Sequence, residues 1–213
     1  MDFNLWFLRA AWAYNRVRFR LLERALRGRV EFGEGCDVWA GSFAFQGPGR
    51  AVIGDGCVIE RGLFPLCFET EAGALIELGA GVWARGKYRP NLLTAHAGAR
   101  LEVGPGSLLN GCIISARQQV EIGARAMISW GVTILDSNQH PIDNDEELKV
   151  KPVRIGDHVL LAAGVIVLPG SSIGSHTVIG AGSLVAGEVP DHVVAAGNPL
   201  RVIRKIGDRD RRP

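Results

Sequence analysis

The chain has 213 residues, 28 of them glycine, about 13% against a usual share of ~7%. A hydrophobic share of 47% excludes a disordered tail, and the lack of a strict Gly-X-Y period excludes collagen. A net charge of +2 is too small to argue for nucleic acid, although 20 of the 24 basic residues are arginine, the side chain suited to anions.

Residues 1–29 come first and differ from the rest. Leu5, Leu8, Trp12, Phe19, Leu22 and Leu26 recur at helical spacing, and seven arginines face only Asp2 and Glu23. This predicts a basic amphipathic helix. It can cap the open end of the remaining chain, or make peripheral contact with an anionic membrane surface. No apolar run reaches the ~20 residues a spanning helix needs, and no signal-peptide pattern is present. Cys36, Cys57, Cys67 and Cys112 form no CxxC pair and read as reduced residues of a cytoplasmic protein.

From residue 30 a repeat takes over. Phe32-Gly33, Ile53-Gly54, Leu78-Gly79, Val103-Gly104, Ile122-Gly123, Ile155-Gly156 and Ile173-Gly174 are separated by 21, 25, 25, 19, 33 and 18 residues. After Ile155 an aliphatic stands at every sixth place: Leu161, Val167, Ile173, Ile179, Val185. Small or β-branched residues follow four places later: Val159, Val165, Ser171, Thr177, Ser183, Val189. A period of six fits neither a helix nor a plain strand; it fits a solenoid with three flat sides per 18-residue coil. Segments 65–77 (PLCFETEAGALIE) and 90–102 (PNLLTAHAGARLE) are two copies of one longer unit, and Gly47 to Arg50 is a fainter third. The fold class is all-β: a parallel β-helix of about seven coils over residues 30–200, with glycine at the second place expected to tolerate the bend. Residues 201–213 are a short basic tail.

Residues 151–206, KPVRIGDHVLLAAGVIVLPGSSIGSHTVIGAGSLVAGEVPDHVVAAGNPLRVIRKI, and the stretch LLNGCIISARQQVEIGARAMISWGVTILDSNQHPID resemble the hexapeptide-repeat acyltransferases. The likeness is to their sugar and polysaccharide O-acetyltransferase branch. It spans about residues 30–206. It implies a left-handed helix, acetyl-CoA as acyl donor with no metal, a homotrimer with sites between subunits, and a sugar or glycan-precursor hydroxyl as acceptor. It also implies a cytoplasmic enzyme, with residues 1–29 able to bring it to the inner membrane face.

The rhythm breaks in a glycine-free insertion, residues 136–154, which holds Asp136-Ser137-Asn138-Gln139-His140-Pro141 and the acidic run Asp143 to Glu147. The family carries its base at this His-Pro position, so His140 is expected to take the acceptor's proton as the hydroxyl attacks the thioester. Asp136 either orients the imidazole or forms a turn. Asn110 stands where related enzymes carry an asparagine near the acyl group; otherwise it is a corner residue. Ala163, Gly164, Ala181 and Gly182 occupy matching places in successive coils and would let the pantetheine arm lie close. Arg201, Arg204 and Lys205 follow the Gly197-Asn198-Pro199 turn and match cations that meet the CoA phosphates.

Three other functions fit parts of this pattern. An amino-sugar N-acetyltransferase shares all of it. A γ-carbonic-anhydrase-like zinc enzyme would use His140, His158 and His176, spaced 18 apart, of which the last two should stack. A non-enzymatic scaffold would need only the coils.

Overall fold

The computed structural model describes residues 3–141 and 148–210, with side chains from residue 13 onward. Three sheets of eight, nine and seven strands form the sides of a β-helix, and every pairing is parallel except that of the last strand of the second sheet. Each coil gives one short strand to each side, and the seven strands of the third sheet mark seven complete turns. The first sheet runs from Val30–Phe32 to Glu188–Val189. The second runs from Asp37–Val38 to Val193–Ala196, and the third from Phe43–Gln46 to Leu184–Val185.

The aliphatic that opens each coil is the inward residue of its first-sheet strand. Phe32, Ile53, Leu78, Val103, Ile122, Ile155, Ile173 and Val189 pair in succession and make one column. Ile53 to Val189 are all buried, and so are the small residues at the fifth place, Ser171, Thr177 and Ser183 included. Strand alternation sends every second side chain inward, and stacking at the ~4.8 Å strand spacing buries it against its equivalents. Each fully buried Leu or Ile contributes about 1.5–3 kcal/mol. The two 25-residue units lie directly over each other, Leu66 opposite Asn91 and Leu75 opposite Arg100.

The glycine of the Ile-Gly pair has a different cause from the one its place in the repeat suggests. These glycines do not adopt positive φ; a Cβ on Gly104 would stand 2.6 Å from the Ala124 nitrogen, and one on Gly174 2.4 Å from that of Asp191. The next coil therefore passes too close for any side chain. The sharp bend falls two residues later, where Gly35, Gly56, Gly81 and Gly106 all have positive φ. Further along the same corner Arg125, His158, His176 and His192 hold φ values of 53, 56, 56 and 57°. Each of these residues donates its N–H to the preceding coil, as His158 does to the Ala124 carbonyl at 2.8 Å.

The helix Phe3–Ala25 closes the first coil. Phe19, Phe32, Phe43 and Phe68 form a chain of edge-on rings, with centroids 5.0, 5.5 and 5.4 Å apart. Asn15 donates to the Val38 carbonyl and accepts from the Ala40 N–H, both at 2.9 Å. The open edge of the second sheet thereby finds partners. The opposite side of the helix leaves Tyr14, Val17 and Leu21 exposed. No described helix is long and apolar enough to cross a membrane.

Candidate active site

The insertion leaves the coil between the strands Thr133–Leu135 and Val153–Ile155, at the corner joining the third sheet to the first. Its base is a short antiparallel ribbon. Ser137 bridges Val150, Asn138 donates to the Lys149 carbonyl at 3.2 Å, and Lys151 donates to that of Asp136 at 2.8 Å. His140 follows directly and is exposed. Its N–H donates to the Asn138 carbonyl at 2.7 Å, closing a three-residue turn around Gln139, whose φ is +62°. A positive φ in a residue other than glycine is uncommon and is found where surrounding contacts hold it. The acidic run Asp143 to Glu147 lies outside the described residues.

Asp136 is engaged through its carboxylate by the main chain of another coil. Its side chain is fully buried beneath the loop, and its carboxylate accepts the main-chain N–H groups of Arg117, Gln118 and Gln119 at 2.7, 2.7 and 2.9 Å. These amides belong to the preceding coil, which turns here without an insertion. The carboxylate ties the base of the loop to that turn.

Ala163, Gly164, Ala181 and Gly182 share the other end of the third sheet. The corner there is a ridge of positive-φ glycines, Gly111, Gly131, Gly164 and Gly182. Gly131 donates to the Gly111 carbonyl at 2.8 Å, Gly164 to that of Trp130 at 3.1 Å, and Gly182 to that of Ala163 at 2.9 Å. Asn110 stands immediately before Gly111 on this ridge. It ends the strand Leu108–Asn110. Within one chain, then, Asn110 and the small residues occupy one corner while the His140 loop rises from another.

The tail strand Arg201–Lys205 folds back antiparallel on Val193–Ala196. Arg201 pairs with Ala196 and Arg204 with Val194, with a register shift between. That bulge puts Arg201 and Arg204 on the same, outward side of the sheet. Lys205 pairs with the inward-facing Val193 and falls on the other side, so the three cations do not form one cluster.

His158 and His176 stack as expected, with ring centroids 4.7 Å apart and planes 9° from parallel, and His192 continues the stack at 4.8 Å. His140 does not belong to this column; its coil contributes Arg125 instead, 3.4 Å from His158 Nε2. The tail runs over the rings. Asp210 lies 3.2 Å from His158 Nε2 and 3.3 Å from His176 Nδ1, and Arg209 donates its main-chain N–H to His176 Nδ1 at 3.0 Å. These groups hold ligand-type atoms within 4.8 Å of one another. Parallel imidazoles 4.7 Å apart cannot both place one ion in their ring planes at a bond length of ~2.0–2.1 Å, and the Arg125 charge stands beside them. The column reads as a clasp for the tail.

Three residues that sequence reasoning passed over, Glu71, His96 and Ser115, stand beside the His140 loop. His96 Nδ1 meets Glu71 Oε1 at 3.0 Å, and Glu71 Oε2 accepts the Ala97 N–H at 2.9 Å. The His96 hydrogen bond, and then that amide, hold the Glu71 carboxyl below the usual range. His96 Nε2 lies 3.4 Å from Ser115 Oγ, and Gln139 Nε2 donates to Ser115 Oγ at 3.5 Å and to Ser137 Oγ at 3.1 Å. A signal existed: Glu71 and His96 occupy the same place in the two 25-residue copies.

Fold and repeat together define a parallel β-helix built on a six-residue repeat. Residues 152–187 match the model of the bacterial transferase hexapeptide family, six repeats. The chain is similar to a galactoside O-acetyltransferase of Escherichia coli, 43% identical over 96 residues, covering 43% of this chain and 47% of that protein. It is also similar to a galactoside O-acetyltransferase of Lactococcus lactis, 48% identical over 93 residues, covering 42% and 44%. The chain thus spans about half the length of the curated relatives it matches. The crystal structure of the polySia-specific acetyltransferase NeuO shares the fold, with a TM-score of 0.53 and 23% identity over 86% of this chain and 88% of that one.

Proposed function

We propose that this protein is an O-acetyltransferase that moves an acetyl group from acetyl-CoA to a hydroxyl of a sugar or glycan precursor, with His140 as general base. The observation that carries the proposal is the insertion itself: one exposed histidine, held on a strained turn above a rigid solenoid similar to galactoside O-acetyltransferases. The imidazole takes the hydroxyl proton while the oxygen bonds to the thioester carbon. The oxyanion so formed needs an N–H donor, the role proposed for Asn110. Collapse breaks the C–S bond, and the imidazolium returns the proton to the departing thiolate. No step needs a metal.

The glycine ridge at Gly164 and Gly182 suits the pantetheine arm, and Arg201 and Arg204 suit the phosphates. In one chain the ridge and the His140 loop rise from opposite ends of the third sheet. This separation supports a homotrimer in which each site is shared by neighbours. Outward apolar side chains on the second and third sheets and the corner between them, Trp83, Ile113, Met127, Trp130 and Ile166, support it as well. Cytoplasmic placement belongs to the same reading, supported by four free thiols. Contact of the helix with the inner membrane face would use Tyr14, Val17 and Leu21 amid its arginines.

The test is thiol release from acetyl-CoA against a panel of neutral, acidic and amino sugars. His140→Ala is expected to lower kcat by about 10²–10⁴-fold. An unchanged rate would refute the assignment. Transfer to amines alone would make the protein an N-acetyltransferase.

A further inference from the structure

We propose that Gln139, Ser115, His96 and Glu71 form a hydrogen-bonded strut whose work is to aim His140. The inference rests on His140 being the base and adds the groups that position it. The strut starts at the turn. Gln139 immediately precedes His140, has φ +62°, and is spanned by the 2.7 Å hydrogen bond from the His140 N–H to the Asn138 carbonyl. Such a tight turn with positive φ is strained and persists only where other contacts fix it. The Gln139 side chain supplies them, reaching Ser137 inside the loop and Ser115 on the wall of the solenoid.

The wall end is itself fixed. Ser115 lies on the strand Ile113–Ala116 and is only 8% exposed. Its hydroxyl has two neighbours, Gln139 Nε2 and His96 Nε2, at 3.5 and 3.4 Å. An amide nitrogen can only donate, so Ser115 Oγ accepts from Gln139 and has its own proton left for His96 Nε2. The Glu71 carboxylate can only accept, so His96 Nδ1 carries the hydrogen that meets it at 3.0 Å, and in the neutral imidazole Nε2 is left to accept the Ser115 proton. Every junction has one donor and one acceptor, and the direction is the same throughout: Gln139 to Ser115 to His96 to Glu71. The Ala97 N–H holds the far carboxylate oxygen at 2.9 Å. The chain of contacts spans three successive coils and the insertion, so it anchors the loop that carries His140 to the rigid wall.

Gln139 and His96 are positioning residues: neither is placed against the reacting atoms. The expected signature is a fall in kcat with little change in KM. Thiol release would be measured with acetyl-CoA and methyl β-D-galactopyranoside for Gln139→Ala, Ser115→Ala, His96→Gln and His140→Ala. Each of the first three should lose about 10–10² in kcat, with KM for both substrates within about threefold. Gln139→Ala and His96→Gln combined should cost no more than either alone. In the His140→Ala background, Gln139→Ala should cost nothing further. Multiplying losses, or an undiminished kcat in Gln139→Ala and His96→Gln, would overturn the strut. A second readout does not depend on turnover: the His140 ring resonances, assigned by their loss in His140→Ala, should shift in both Gln139→Ala and His96→Gln. Resonances that stay in place in both variants would also overturn it. Full activity in His140→Ala would instead remove the base assignment, and the resonances alone would then decide the strut.

Discussion

Replacing Asp136 by alanine separates a structural carboxylate from a catalytic one. The side chain is fully buried and accepts three main-chain N–H groups at 2.7, 2.7 and 2.9 Å. A buried N–H left without a partner costs about 1–3 kcal/mol. The three bonds here are part-buried and run to a charged acceptor, so with water relieving some of the loss they amount to about 3–6 kcal/mol. For a chain of this size each kcal/mol moves the melting midpoint by about 2–4 °C. Asp136→Ala should therefore melt roughly 10–20 °C below wild type. Asp136→Asn keeps one acceptor oxygen and should lose about half as much. Circular dichroism melts give the shift, and thiol release at about 25 °C gives kcat on the folded protein. That rate should stay within about tenfold, because His140 is reached through the ribbon and not through this carboxylate. A triad-type orienting role predicts the reverse, an unchanged melt with kcat down by about 10⁴. A midpoint within about 2 °C of wild type would refute the structural role of this carboxylate.

The remaining expectations concern the stack, the thiols and the tail. Gly104→Ala puts a Cβ 2.4 Å from the Gly123 carbonyl carbon and should cost about 1–3 kcal/mol or more in urea denaturation. Gly81→Ala meets open space at φ +67° and should cost only the ~1–2 kcal/mol of a left-handed residue. Burial pushes the Cys57 thiol up from 9.0 to about 11 and that of Cys112 up to about 12. The unfolded chain ionises these thiols first, so their contribution is complete below about pH 9 and declines above it, at up to about 1.4 kcal/mol per thiol per pH unit. The urea midpoint of a Cys57→Ala, Cys112→Ala variant should fall less steeply between about pH 9 and 11; equal slopes would contradict this. Arg201→Ala and Arg204→Ala should each raise KM for acetyl-CoA about tenfold at constant kcat. Lys205→Ala, on the other side of the strand, should change it less than about twofold, as steady-state kinetics would show.

Most of the fold was legible because burial imposes the six-residue rhythm. An inward residue must be aliphatic to stack, and the coil starts from Phe32 to Ile173 fall in one column as their spacing requires. The stacked His158 and His176 follow from the same arithmetic. The cause of the Ile-Gly glycine was not legible. A missing side chain can answer either a positive φ or a close neighbour, and composition does not tell them apart. The bulge that separates Lys205 from Arg201 and Arg204 was also invisible, since one extra residue in a short strand leaves no mark in sequence.

The open question over Asp136 and the silence over His96 have one origin. His140 stands four places after Asp136, and within a loop such nearness suggests a pair. In a solenoid the neighbour that matters is a coil away. The amides that hold Asp136 stand 17 to 19 residues before it. Ser115 stands 24 before Gln139, His96 19 before Ser115, and Glu71 25 before His96. Each interval is about one circuit of the chain. Polar partners on such a wall should therefore be sought by stepping through whole coils, with the lengths read from the aliphatic column. On that rule the two copies PLCFETEAGALIE and PNLLTAHAGARLE already set a carboxylate over an imidazole. What the repeat cannot supply is direction: stacking places Glu71 and His96 at one corner, and only side-chain geometry turns them toward Ser115 and the loop that carries His140.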